Sequence, residues 1–269
     1  MATPETKTVL ITVKAPPNPS KKYQETNCCA GVDLDSGQLI RLYPIPFRLL
    51  DYDKQFPKYS VISVNCQRPL RDKRMESYKV DQDSIKILSH LGTENKWYER
   101  KKIVLPNLSP SFCKILEDVI TNKSLSIFKP TDIEFEIKKS VPKDEQKRRA
   151  AYDQYHLFDK KLEPLEQIPF SFYYSFKCHS SLKCPGHKLM IHDWELMGAY
   201  RRWRHRYREQ VLLLDKIREK WLENLCGSKK DTYFYVGNMW QRPKQFMVLG
   251  VFYPPKSPPN LFTDEISDQ

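Results

Sequence analysis

Glycine is scarce in this chain, with 8 in 269 residues. None stands in a G-x-G-x-x-G or G-x-x-x-x-G-K-S/T arrangement, so the backbone cradles of dinucleotide enzymes and P-loop NTPases are missing. Nucleophile-elbow and kinase signatures are missing as well. No apolar run reaches the ~20 residues of a spanning helix. The first residues, MATPETKTVLITV, lack the basic start and apolar stretch of a signal peptide. The expected compartment is therefore the cytoplasm or the nucleoid, with no membrane partner. Acids are outnumbered, 33 Asp+Glu against 45 Lys+Arg, for a formal charge of +12. Such a surplus favours polyanions. The 7 cysteines are odd in number and follow no secretion signal, which argues for reduced thiols rather than a disulfide framework.

What is present reads as an α+β protein. Hydrophobic content of 40% with 29% charged residues is that of a globular chain. Residues 1–140 are read as a β-rich, barrel-like domain with one helix. Short strands are expected at Thr8–Lys14, Cys28–Leu34, Gln38–Tyr43, Val61–Cys66 and Ser84–Leu88, with Asp35-Ser36-Gly37 as a hairpin turn. The prolines of 15–20 end the first strand. Ser109-Pro110 is expected to open a helix whose apolar face is Phe112, Ile115, Leu116 and Val119. Asp132–Ser140 alternates as a half-buried strand. Residues 141–168 are charged and read as a connector and domain boundary. Residues 169–254 form a second unit: an aromatic strand from Phe170 to Cys178, a long basic amphipathic helix from Asp193 to Cys226, and two closing strands, Thr232–Val236 and Gln245–Tyr253. Its apolar stripe is Tyr200, Trp203, Tyr207, Val211, Leu214, Trp221 and Leu225. Residues 255–269 read as a loose tail.

The stretch RRWRHRYR spans 201–208. On one helix Trp203 and Tyr207 face the core, while Arg201, Arg202, Arg204, His205, Arg206 and Arg208 are left outside. Like charges at three- and four-residue spacing repel by a few tenths of a kcal/mol per pair. Only Glu195 and Glu209 stand nearby to relieve them. Guanidinium forks match phosphate oxygens, so the expected partner is nucleic acid, held by its backbone. Trp240, Arg242 and Lys244 are read into a loop joining the last two strands, where an indole or Tyr43 offers stacking. Further basic clusters lie at Gln67–Arg74 and at Lys147-Arg148-Arg149.

The segment FKCHSSLKCPGHKLMIHDWE places Cys178, Cys184, His187 and His192 in a C-x5-C-x2-H-x4-H spacing. Four sulfur or nitrogen donors so close together suit a structural zinc. His179, Cys226 or a distant residue are alternatives for the fourth ligand.

Glu136-Ile137-Lys138 with Asp132 upstream has the acid-x-lysine pattern used by metal-dependent nucleases. Asp132, Glu136, Lys138 and Asp193 are the catalytic candidates on that view, although Asp193 also suits the N-cap of the long helix. Two rivals therefore stand beside the binding protein. One is a metal-dependent nuclease acting on DNA or RNA. The other is a subunit of a larger complex that docks an acidic protein surface.

Overall fold

The computed structural model describes residues 3–141, 150, 152, 162–179 and 183–256. Lys147-Arg148-Arg149 and most of the expected connector and tail lie outside these residues.

The N-terminal half contains β1 (Glu5–Lys14), β2 (Asn18–Ser20), β3 (Gln24–Asp33), β4 (Leu39–Ile45), β5 (Ser60–Gln67), β6 (Ser77–Val80) and β7 (Lys86–His90), followed by helix α1 (Glu94–Val104). Strand pairing runs β1-β3-β4-β6-β5 and returns from β5 to β1, which closes a five-stranded barrel; β2 and β7 pair outside the ring. All ring pairings are antiparallel except β4 with β6. β1 shows why its run Val9–Val13 is apolar on both faces. Val9 and Ile11 fill the barrel with Leu42, Ile62 and Val64, while Leu10 points outward into a second core. A register shift between Ile11 and Val13 turns Val13 to Leu10's side. The proline-rich segment ends β1 as expected, but it also supplies β2, an edge strand on which Pro19 needs no ladder donor.

The C-terminal half continues with β8 (Leu108–Ser109), α2 (Phe112–Glu117), β9 (Leu125–Phe128), β10 (Pro130–Lys139), β11 (Phe170–Cys178), β12 (His187–Met190), α3 (Trp194–Arg206), α4 (Gln210–Arg218), β13 (Tyr233–Met239) and β14 (Arg242–Phe252). One sheet has the order β14-β13-β9-β8 and the other β10-β11-β12. The first is a shared wall. Leu125, Ile127, Tyr233 and Tyr235 pack with Leu10 and Val13 of the barrel, while Phe128, Phe234 and Val236 enter a separate aromatic core. Phe170, Phe172, Tyr174, Phe176 and Cys178 alternate along β11 into that same core.

Four expectations change. The charged segment after residue 140 lies between β10 and β11, and those two strands pair with each other, so the expected boundary falls between neighbours in one sheet. The segment touches the barrel, where the Tyr152 hydroxyl donates to Glu25 at 2.9 Å and the Leu162 N–H donates to Gln24 at 2.9 Å. Residues 108–139, expected with the barrel, pair and pack with the C-terminal strands. The helix after Pro110 begins two residues later than expected. Ser111 caps it by accepting the Lys114 N–H at 3.0 Å, and Leu116 is exposed. Finally, the long helix is interrupted. Tyr207 and Glu209 are extended between α3 and α4, and a π-helical turn follows at Glu219–Asn224. The interruption resets the helical phase. Leu213, Ile217 and Trp221 are buried after it, and Val211, placed on the stripe by an unbroken repeat, is 73% exposed.

Candidate functional site

Three strand- and helix-end residues converge with one from the turn between β11 and β12. Cys178 ends β11, Cys184 lies on the turn, His187 opens β12, and Cys113 sits in the first turn of α2. Their ligand atoms all lie within 4.8 Å of one another. The Cys113 sulfur is 3.8 Å from that of Cys178 and 3.2 Å from His187 Nε2. Tetrahedral coordination with metal–sulfur bonds of ~2.3 Å requires sulfurs ~3.8 Å apart. Gly186, at φ +85°, makes the tight turn that returns His187 toward Cys184. The imidazole is wedged edge-on against Phe112 at 4.8 Å and lies beside Phe176 at 5.5 Å.

Protonation fits this arrangement. Burial holds the His187 imidazole below its ordinary value, so it is neutral and able to ligate. The Cys113 thiol is pushed up to about 12 by burial and by the neighbouring Cys178 and Cys184, so a cation is needed before these thiols ionise together. Burial acts upward on Cys184 too, but N–H groups of Gly186 and Cys178 aimed at its sulfur bring it below the ordinary thiol range. The four residues could hold one metal ion. His192 is not among them: its N–H donates to the Val248 carbonyl at 2.7 Å. His179 is exposed, and Cys226 lies against Tyr174 and Trp221. Cys113 was beyond the reach of sequence spacing, being 65 residues from Cys178.

Of the catalytic candidates only Glu136 and Lys138 meet. Asp132 pairs with Lys177 at 3.6 Å, and Glu136 pairs with Lys138 at 3.3 Å and with Lys188. Asp132 and Glu134 line a shallow groove with Lys188 and with His187 of the cluster, but neither carboxylate belongs to the cluster itself. Asp193 lies elsewhere. It caps α3 by accepting the Glu195 N–H at 2.9 Å, and it shares a buried lysine with Glu195: Lys58 Nζ is 3.3 Å from Asp193 and 2.9 Å from Glu195. Burial works against the charge on Lys58, but the two carboxylates outweigh it and raise its pKa. Burial pushes Asp193 up to about 6 despite Lys58, whereas Lys58 outweighs burial at the more open Glu195 and lowers it.

The basic residues divide into two places. On α3, Arg201 donates to the Glu166 carbonyl at 2.9 Å, and Arg204 pairs with the Glu166 carboxylate. Arg202, His205, Arg206 and Arg208 are exposed, and among the described residues Arg202, Arg206 and Arg208 form no ion pair. Arg206 lies over the Tyr207 ring at 5.4 Å, and the ring of Trp203 packs on those of Tyr207 and Trp221. Trp240 is in the other place. The expected loop of 237–244 is strand nearly throughout. Met239 pairs with Arg242, leaving Trp240 and Gln241 as the turn and putting Arg242 and Lys244 on β14. α3 packs through Tyr200 on Phe170 and Phe172, at the end of β11 opposite Cys178 and the cysteine–histidine cluster. Tyr43 is half-exposed, and its hydroxyl accepts from Thr26 at 3.2 Å.

A barrel joined through a shared wall to an aromatic core, with a three-cysteine, one-histidine cluster at its edge, defines this chain's architecture. Residues 109–267 match the family model described as Domain of unknown function (DUF8757), more than half of the chain, and the chain belongs to that family. Residues 5–106 match a second model, Domain of unknown function (DUF8758). No curated protein matches the chain in sequence.

Proposed function

We propose that this protein binds nucleic acid through the phosphate backbone, using the exposed arginines around the end of α3, and that a structural zinc holds the cluster of Cys113, Cys178, Cys184 and His187. The observation that carries the binding reading is the unrelieved charge of Arg202, Arg206 and Arg208. Glu166 engages Arg201 and Arg204, and no ion pair among the described residues serves the other three. Part of this charge suits its position, since Arg204, His205 and Arg206 stand in the last turn of α3, where the helix dipole favours cations. Arg202 and Arg208 lie outside that turn.

Zinc is favoured by the donor set. Three thiolates and an imidazole are the soft and borderline ligands zinc takes, and oxygen-seeking magnesium or calcium would find no carboxylate in the group. Four protein ligands leave no open position for a substrate, which supports a structural ion over a catalytic one.

Fluorescence anisotropy with labelled duplex and single-stranded DNA and RNA, across a salt series, tests the binding. The variant R202Q/R206Q/R208Q is expected to weaken it. For duplex DNA the log–log salt slope should flatten by about 0.9 for each phosphate no longer neutralised, about 2.7 in total. Equal affinity and slope in parent and variant would sink the assignment of these arginines. A stable acidic protein partner, with no nucleic-acid binding at any salt, would favour the docking subunit instead.

A further inference from the structure

Three loops from distant parts of the sequence meet around Asn238. Arg74, in the loop after β5, donates to the Asn238 carbonyl at 3.1 Å, and the Met75 N–H donates to the Asn122 carbonyl at 3.4 Å. The Asn238 N–H donates in turn to Ser124 at 3.0 Å. These hydrogen bonds bring the 68–75 loop, the 118–122 turn and the β13–β14 hairpin tip together.

The meeting place carries apolar side chains that the described residues leave largely exposed. Leu70 is 89% exposed, Ile120 90%, Met75 61% and Trp240 51%. It also carries cations without a carboxylate partner among the described residues, Arg242 donating only to the Gln245 side-chain amide oxygen at 3.3 Å. Arg71, Lys73, Arg242 and Lys244 are exposed and form no ion pair among the described residues. The carboxylates nearby are engaged: Asp72 by Arg74 at 2.7 Å, Asp118 by Lys114 at 3.1 Å, and buried Glu76 by Ser124 and Leu125. The two kinds of residue alternate along the same loops. Leu70 precedes Arg71, Met75 lies two residues after Lys73, and Trp240 lies two before Arg242. Arg242 and Lys244 are two apart on one strand, so they share a face about 7 Å apart.

We infer that this loop cluster is a second nucleic-acid surface and that its ligand is a single strand. Flat, weakly polar bases would lie on the Trp240 indole and its apolar neighbours, and phosphates would lie on Arg71, Lys73, Arg242 and Lys244. A single strand alternates the same two chemistries at each nucleotide. A duplex keeps its base faces stacked inside and would leave the indole uncovered. A membrane-binding face would be expected to gather its apolar residues and put cations at the rim, and here the two are interleaved. The inference shares its class of polymer with the function proposed above but uses none of the α3 arginines.

The test is a titration of the full chain with single-stranded dT and U oligonucleotides, followed by tryptophan fluorescence and anisotropy, with a duplex of equal length alongside. Trp240→Ala is expected to weaken single-strand binding roughly 5- to 150-fold, the range for loss of one stacked base. It should leave duplex binding unchanged, and Trp240→Phe should restore part of the loss. Trp240 is at a hairpin turn and half-exposed, so these variants keep the fold; R242Q/K244Q gives an independent check through a reduced salt slope. If W240A and R242Q/K244Q bind single strands as the parent does, the inference is overturned. If in that case R202Q/R206Q/R208Q still loses binding, α3 alone holds the polymer and the earlier reading stands. If W240A weakens single-strand binding while the α3 variant changes nothing, the earlier reading fails and this one stands. Binding to phosphatidylserine vesicles that W240A abolishes, without oligonucleotide binding, would make the surface a membrane contact and overturn the inference.

Discussion

Replacing Cys113 by serine tests the metal centre most directly, because it removes a ligand that lies far away in sequence and changes little volume. The ion would tie α2 to the β11–β12 turn, closing a loop of 65 residues between Cys113 and Cys178. Treated as a cross-link, closure of a loop that long is worth about 4 kcal/mol. A chain of this size changes its melting temperature by roughly 2–4 °C per kcal/mol. Loss of the ion should therefore lower Tm by about 8–16 °C. The assay has two arms, metal content by mass spectrometry and thermal unfolding with and without a chelator. The parent is expected to hold one zinc per chain and to fall in Tm when it is chelated. Cys113→Ser should hold substoichiometric zinc and melt near the chelated parent, with little further response to chelator. Cys226→Ser is the control, since its sulfur meets Tyr174 and Trp221 instead of the cluster. Full zinc and a normal chelator response in C113S would refute the four-residue site. A parent that holds no zinc and gives no tetrahedral cobalt spectrum when loaded would refute the metal altogether.

Two predictions concern the buried charges. Asp193 titrates at about 6 in the folded chain against an ordinary 3.8, so between those values the folded state keeps a proton that the unfolded state has released. Stability from this group is present in acid and is lost as pH rises through that window, by at most about 3 kcal/mol. Urea unfolding should show the parent losing stability relative to Asp193→Asn from about pH 4 to about pH 7; a difference that does not move with pH would contradict the buried, raised carboxyl. At the barrel, Arg48 grips the fully buried Glu25 carboxylate with two bonds of 2.7 and 2.5 Å. Arg48→Ala strands that charge and should cost about 3–5 kcal/mol, and adding Glu25→Gln should recover much of it. Equal stabilities for the single and double variants would show that packing, not charge, decides the site.

The barrel was readable because its signals are local: alternating short strands, an Asp-Ser-Gly turn and prolines that end β1. The division of the molecule was not, because the apolar face of Leu10 and Val13 has its partners at Leu125, Tyr233 and Tyr235. Strong charge at 141–168 does not tell a linker between domains from a connection between two paired strands of one sheet. The helix after Asp193 was legible as a helix but not as two. A stripe at three- and four-residue spacing looks continuous through Tyr207, and only the burial of Leu213 and Ile217 in place of Val211 shows the shifted phase. Cys178, Cys184 and His187 were visible together because a tight turn keeps ligands close in sequence. Cys113 was hidden among ordinary helix positions, since its role depends on where α2 docks.

Charges are buried between the halves because the shared core needs them. Each matched family segment contributes one side of a common core, so apolar burial alone would leave their relative placement weakly specified. Lys58 of the barrel reaches Asp193 and Glu195 at the start of α3, and Arg41 of β4 reaches the Ser124 carbonyl at 3.3 Å beside Glu76. A buried ion pair such as that of Lys58 adds little net stability when formed, but it costs several kcal/mol when a sliding interface separates its members, and a guanidinium parted from its carbonyl acceptor is likewise left unsatisfied. Apolar packing favours association of the two halves, and the buried pairs select one register. That register sets the position of β9 and β13 on the barrel. It thereby fixes where the 68–75 loop meets the Trp240 hairpin, and the start of α3 is fixed by the Lys58 ion pairs themselves.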